Sequence, residues 1–332
     1  MVWNTPASTP IHIKPLDVRV REIDGATAPL EDLLAVHQVE QACVPDLMPG
    51  ERGQSAEEAI AFIRHAPAGQ PRPRWLAELE GRAAGAALLY VHGPSFAYGQ
   101  VLVRPESRRL GVGSALLDTL RNAARAQGLR SFFGHHATEA GAAFAAQAGA
   151  IDDQRDVRSV LELRSAELPP PVVSPGWVLR SWVGKTPEGL AASFVTARDA
   201  MHDAPAPGGQ ETARFTIKEL HDIEESAARR GREIRVTVAL DEAGEIGAFT
   251  DIRVTPPSTD AATDDTATVA WARRRGLAFA VKLESLRLLH TERPEVERVS
   301  TMNAEHNAAM RHINTAIGFV PTSTLTTTVL TL

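Results

Sequence analysis

The chain has 332 residues, of which 43% are hydrophobic and 23% charged, and a net charge of −6. That length suits two domains of about 150 residues, and the composition is that of a folded protein. The acidic balance lacks the basic footprint of a nucleic-acid binder. The single cysteine, Cys43, excludes disulfide frameworks and cysteine-based zinc sites within the chain, and no apolar run approaches the ~20 residues of a membrane span.

The N-terminal "MVWNTPASTP" has no basic region followed by an apolar run, so it does not read as a secretion signal. The chain is expected in the cytoplasm, with no membrane or nucleic-acid partner and no metal. Helical sequence comes first, in "PLEDLLAVHQVEQACV" and "SAEEAIAFIRHA". A hairpin follows, with "RWLAELE" (74–80) as its outgoing strand and "GRAAGAALLYVHG" as its return. A further strand, "GQVLVRP", runs into the turn at 108–114 and then into the helix "SALLDTLRNAARAQG", which carries Leu116, Leu117, Leu120 and Ala124 on one face. His135 and His136 are adjacent on the next strand and point to opposite faces, so they cannot jointly hold a metal in regular geometry. A helix ending at Gly149 and a closing strand complete this half.

"ELPPPVVSPGW" (167–177) holds four prolines within positions 169–175, a stiff extended linker. The pattern then repeats. Helical "PEGLAASFVTARDAM" and "KELHDIEESAARRG" flank the loop "APAPGGQ", which follows Met201, His202 and Asp203 and is expected over an acceptor cleft, as a lid or a plain connection. The basic end of the second helix, "SAARRGR", fits complementation of the helix dipole. A hairpin over 233–254 turns at Glu242-Ala243-Gly244, and strand "TATVAWA" leads into a second turn at 273–278. The next helix carries Leu283, Leu286 and Leu289, and another helix ends at Gly318 before a closing strand. The turn glycines Gly111 and Gly276 lie 165 residues apart, and each precedes the final helix glycine of its half by 38 (111 to 149) or 42 (276 to 318) residues. This is an internal duplication of a mixed α/β unit.

A strand that delivers the chain directly into a helix leaves the first helical N–H groups without partners. Glycine there lets backbone approach a diphosphate, and the unpaired amides with the helix dipole favour an anion. Arg108 and Arg109 add charge at the rim. The pattern is neither G-x-G-x-x-G nor a Walker loop. The order Arg108-x-x-Gly111-x-Gly113 resembles the acyl-CoA-binding signature of the GNAT superfamily of N-acyltransferases, and Arg273-x-x-Gly276-x-Ala278 is similar to the same signature with alanine. The segment "TMNAEHNAAMRHINTAIGF" looks like the superfamily's other cofactor segment, in which an asparagine, here Asn307, starts a helix ending in Gly-Phe, here Gly318-Phe319. The first half keeps Phe144 and Gly149 but lacks the asparagine. The architecture resembles the actinobacterial-type tandem members of the superfamily, a group that includes mycothiol synthase and capreomycin-type antibiotic acetyltransferases.

The resemblance implies an α/β fold of two GNAT-like domains, 1–168 and 177–332 with a linker at 169–176, each a mixed, splayed sheet flanked by helices. It implies acetyl-CoA as co-substrate, with the pantetheine arm paired to strand edges at 100–103 and 266–269, including Leu102, Val103, Thr268 and Val269. The pyrophosphate is expected on Arg108, Arg109, Gly111, Val112, Gly113 and Ser114, or on Arg273, Arg274, Arg275, Gly276, Leu277 and Ala278, with Asn303 and Asn307 also on the cofactor side. The reaction implied is attack of a neutral amine on the thioester, aided by a base and by an acid for the leaving thiolate. Both aids depart from the family pattern. The tyrosine position four residues before the final glycine holds Ala145 and Asn314, and the strand carboxylate position holds Ala97 and Ala262. Asn314 can hydrogen-bond to thiolate or cofactor without acting as an acid. Asp264 and Asp265 either begin their strand with local hydrogen bonds, or a bulge carries Asp265 to the cleft as the base. Tyr98 is a further candidate, or a core residue with a satisfied hydroxyl. Chemistry is placed in the second half, which has the asparagine helix and the strand carboxylates.

The acceptor is expected to be a primary amine of a small molecule, cationic if the acidic balance reflects it, such as an antibiotic or a biosynthetic intermediate, and the protein a monomer or homodimer. The alternatives are another donor (a longer acyl-CoA or an aminoacyl-tRNA) or a non-catalytic CoA-binding sensor.

Overall fold

The computed structural model describes residues 17–48, 53–65, 72–92, 96–203 and 215–332. The first half runs β1 (Val18–Ile23), α1 (Leu30–Leu47), α2 (Ala56–Arg64), β2 (Arg74–Leu79), β3 (Arg82–His92), β4 (Phe96–Val103), α3 (Val112–Ala126), β5 (Ser131–His136), α4 (Glu139–Gln147) and β6 (Ile151–Glu162). The second repeats it as β7 (Val178–Val183), α5 (Glu188–Arg198), α6 (Ile217–Arg229), β8 (Glu233–Leu240), β9 (Ile246–Val254), β10 (Asp260–Thr268), α7 (Leu277–Glu292), β11 (Arg298–Ala304), α8 (Ala308–Ile317) and β12 (Val320–Thr331). Among the described residues, no helix is long and apolar enough to cross a membrane. The expected lid loop at 204–210 lies outside the described residues.

Local chemistry explains the corresponding helices α2 and α6. Each begins with a capping box, Ser55 with Glu58 and Thr216 with Glu219, which satisfies two orphan N–H groups reciprocally. Alternation then assigns the faces of the sheet. On β2, Trp75 and Ala77 pack with Leu116, Leu117 and Leu120 of α3. Leu76 packs on the other face with Leu33 and Val36 of α1 and Ile63 of α2. In the second half Val236, Val238 and Phe249 face α5 and α6, while Ala239 and Ala248 face α7.

The closing strands do not stay in their own halves. The twelve strands of the described residues form one sheet in the order β1-β2-β3-β4-β5-β12-β6-β11-β10-β9-β8-β7. Strand β12 pairs antiparallel with β5 of the first half (Thr326 opposite His136), and β6 pairs antiparallel with β11 of the second (Arg298 opposite Glu162). The two exchanged strands pair with each other in the middle. The exchange reaches the cores: Leu330 of β12 belongs to the first half's apolar cluster, and Leu161 of β6 with Leu163 just beyond it to the second's. Pattern along the chain cannot reveal this, because either partner satisfies the same apolar alternation.

Candidate active site

Each half contains a splay between two parallel strands. In the first, β4 and β5 register only at Tyr98 and Phe133, so residues 99–103 pair with β3 on one edge and leave the β5 side. In the second, β10 and β11 pair at 260–262 and then part. A bare edge of backbone N–H and C=O groups in a widening gap is what an extended amide-bearing arm can join as an added strand.

Both splays end in the same turn, residue for residue. Arg108 Nε donates to Val103 O, and Arg273 Nε to Thr268 O, each at 3.2 Å. Arg109 and Arg274 both hold the left-handed φ of 63° that non-glycine residues rarely adopt. Gly111 (φ 85°) and Gly276 (φ 72°) follow as N-caps of α3 and α7. The first helical bonds are Ala115 N–H to Gly111 O and Ala280 N–H to Gly276 O, so the amides of Val112, Gly113, Ser114 and of Leu277, Ala278, Phe279 precede both ladders. A Cβ at either turn glycine would meet nothing within 4 Å. Open space beside unpaired amides, with exposed Arg109 or Arg274 alongside, fits a pyrophosphate. Leu102, Val103, Thr268 and Val269 lie at the ends of the splayed strands just before these turns.

The turns differ in their surroundings. Asp46 of α1 holds the Arg108 guanidinium, and Cys43 Sγ lies 3.5 Å from Val103 O. In the second turn Arg275 O accepts from linker Ser174 Oγ at 2.9 Å, and Trp177 stacks on Trp271 with centroids 5.5 Å apart.

The second splay also carries titratable groups. The register of β10 with β9 shifts between Thr263 and Thr266, a bulge that carries Asp264 and Asp265. The Asp265 N–H donates to Asp251 Oδ1 at 2.6 Å. Arg198, from the end of α5, contacts Asp265 Oδ2 at 2.5 Å and Asp251 Oδ2 at 3.3 Å, with the Phe215 ring 4.8 Å from its Cζ. Burial and the facing Asp251 carboxylate push Asp265 up to about 6, against the pull of Arg198, while its side chain keeps 27% exposure. The strand starts at Asp260, so these aspartates lie within it rather than at its start, and both are held in local hydrogen bonds. Asp264 pairs instead with Arg253.

Asn307 caps α8, its side chain accepting from Met310 N–H. Asn314 is 2% exposed. Its Nδ2 donates to Asn303 Oδ1 at 2.6 Å, and its Oδ1 has no partner. The structure therefore joins Asn303 to Asn314 and keeps Asn307 at the helix start. Near them, on α7, is a residue the sequence reading passed over. Lys282 sits six positions after Gly276, where the first half has Leu117 six after Gly111. It is 2% exposed, its Nζ is 5.4 Å from the Phe319 centroid and has no hydrogen-bond partner. Burial lowers its ammonium to about 7, opposed by Asp251. A lysine inside the apolar run 277–289 is the signal that could have found it. Arg198 and Asp251 have no comparable signal. In the first half the Tyr98 and His135 rings stand 4.8 Å apart, and burial raises the Tyr98 phenol to about 12. His136 turns away to Asp152, 3.2 Å from its Nε2. Among the described residues, no group of three or more His, Cys, Asp or Glu could hold a metal ion.

Residues 35–149 match the model of the acetyltransferase (GNAT) family. That span includes the first turn and excludes the second. No curated protein matches the chain. Among solved structures it is similar to a tandem GNAT protein from the clavulanic acid biosynthesis pathway, at 24% identity and TM-score 0.79, covering 94% of this chain and 98% of that one. It is also similar to a GCN5-related N-acetyltransferase from Sphaerobacter thermophilus, at 16% identity and TM-score 0.73, covering 94% and 95%. Likeness at these identities bears on fold, and it extends over both halves. Residues 35–149 thus match the GNAT acetyltransferase family model, and over 94% of its length the chain has the fold of a tandem GNAT protein.

Proposed function

We propose that the chain transfers an acetyl group from acetyl-CoA to a primary amine of a small molecule, in the cytoplasm, with the chemistry in the second half. The observation that carries this is the bulge that sets Asp265, with a carboxyl raised to about 6 and still partly exposed, at the second splay beside an amide-lined turn. The amine attacks the thioester carbonyl, the new N–C bond forms as the C–S bond breaks, the amine proton passes to Asp265, and the thiolate takes up a proton. Asn314, in the place where the family usually has a tyrosine, and the buried Lys282 ammonium are the polar groups on the α7–α8 side available to the thiolate. The first half binds cofactor or serves as scaffold.

A second reading, a CoA-binding sensor without turnover, draws support from the grip of Arg198 on Asp265. Thiol release from acetyl-CoA, measured over a panel of small amines, separates the two. Amine-dependent release supports transfer; tight CoA binding with no release from any amine overturns it. Acetyl-CoA against longer acyl-CoA donors in the same assay sets the chain length, and an antibiotic panel tests the antibiotic-modifying role.

A further inference from the structure

On the face of the sheet opposite α3 and α7, the two halves meet where neither cofactor turn reaches. Arg72 and Arg74 alternate with Leu76, which packs under α1 and α2, so both face that layer. There they surround one ring. The Phe62 centroid on α2 lies 4.7 Å from Arg72 Cζ, 5.5 Å from Arg74 Cζ and 5.5 Å from Arg230 Cζ. Arg230 belongs to the other half, at the C-cap of α6, and a hydrogen bond from Ser226 Oγ to His65 O at 3.3 Å fixes α6 against the end of α2. Arg232 follows, its Nε on Thr255 Oγ1 at 3.2 Å.

Three guanidiniums around one phenyl ring repel one another, and burying like charge is costly unless an anion joins it. The protein supplies part of the compensation: Tyr90 bonds to Arg72, and the Glu58 and Asp264 carboxylates act on Arg232 through space. No carboxylate pairs with Arg230 or Arg232 among the described residues. Arg74 is 3% exposed, with its Nε lacking a partner. Glu40 is the neighbouring acid, and burial holds its carboxyl above the ordinary range, toward the neutral form. Burial first, and the neighbouring arginines next, bring Arg230 and Arg232 down to about 10. Arg230 Nε does cap the helix carbonyl of Ser226, as the dipole reading of this segment expects, but that uses one of its nitrogens. The remaining forks have the planar geometry that oxyanions match.

We propose that this seam binds an oxyanion, carboxylate or phosphate, carried by the acceptor. Arg253 lies beside Arg232 and holds Asp264 at 2.5 Å, the residue next to Asp265. An acceptor anchored by its anionic end at Arg230 and Arg232 therefore presents its other end toward the second splay. The acceptor is then a zwitterion, an amine that also bears an acid, and the overall charge of −6 misleads about the site. The word "acceptor" rests on the acyl-transfer reading; the anion site does not.

The test uses the full chain saturated with CoA, which occupies the cofactor turns, at low ionic strength. Succinate and inorganic phosphate are titrated separately by calorimetry into wild type, Arg230→Gln, Arg232→Gln, the double variant and Arg230→Lys. At least one probe binds wild type, each Gln variant weakens it about tenfold, as expected for one charge-assisted contact, and the double variant weakens it further. Arg230→Lys, which keeps the charge, retains most of the binding. Which probe binds tells carboxylate from phosphate. Neither probe binding wild type through the millimolar range overturns the proposal, as does equal binding to a double variant whose melting temperature matches wild type. If the probes bind as expected while no amine releases thiol, the seam stands and the acyl-transfer reading fails.

Discussion

The two arginine–glycine turns share a backbone to the hydrogen bond and differ in the side chains around it. Both have an arginine Nε on the carbonyl five residues back, a left-handed arginine and a left-handed glycine. Yet the first arginine is held by Asp46, its helix places Leu117 against the sheet, and its strand runs to the turn without a register shift. The second has the bulge, the Asp251–Arg198–Asp265 group and Lys282 in place of that leucine. Duplication preserved the part that local geometry dictates. The neighbouring side chains, which do not affect the turn itself, diverged, and that divergence is the basis for proposing chemistry in the second half.

The comparison can be broken at several levels. The largest effect is expected from separating the halves: residues 1–168 expressed alone lack β12, leave β5 without its partner and lose Leu330 from the core. That piece should show no cooperative melting by circular dichroism. Next, Gly276→Glu sets a carboxylate among the amides proposed for the pyrophosphate, and amine-dependent thiol release should fall to background; Gly111→Glu should leave most turnover, with CoA stoichiometry halved if the first half also binds cofactor and unchanged if it is scaffold. Loss of turnover in Gly111→Glu alone would move the chemistry to the first half.

Asp265→Asn should lower kcat by about 10²–10⁴-fold, the range of a general base. In wild type the rate should rise with pH through about 6, where Asp265 loses its proton, and the variant should lack that rise. The smallest effect concerns Lys282. Its folded-state value of about 7 lies below the ordinary 10.5, so between those values the unfolded chain binds more protons than the folded one, and stability rises with pH across that window. Lys282→Leu, copying the first half, should remove that slope in pH-resolved denaturant titrations. It should also stabilise the protein at pH 7 by about 1–4 kcal/mol, the range found when buried ionic groups give way to apolar ones of similar volume.

Legibility followed range. The turns could be read from sequence because glycine, arginine and the following helix act within seven residues, and the 165-residue echo doubled the signal. Asp265 was half legible: two acids after Ala262 suggested a bulge, but only the register against β9 fixes it. Asn307 can be read from sequence as the start of its helix, while the bond from Asn314 to Asn303 spans a loop and a helix. Arg198 meets its carboxylates from 53 and 67 residues away, and the Phe62 seam draws arginines from both halves. No spacing rule reports such meetings, because they depend on how the elements pack.

The strand exchange also bears on synthesis. Gly134 of β5 and Thr328 of β12 meet across 194 residues, so an edge of the first half's sheet stands open until nearly all of the second half has been made. An open edge is a template for the wrong partner, and pairings this distant form slowly. During translation the first half is thus an unfinished domain, and yield from rapid expression should be limited by that interval.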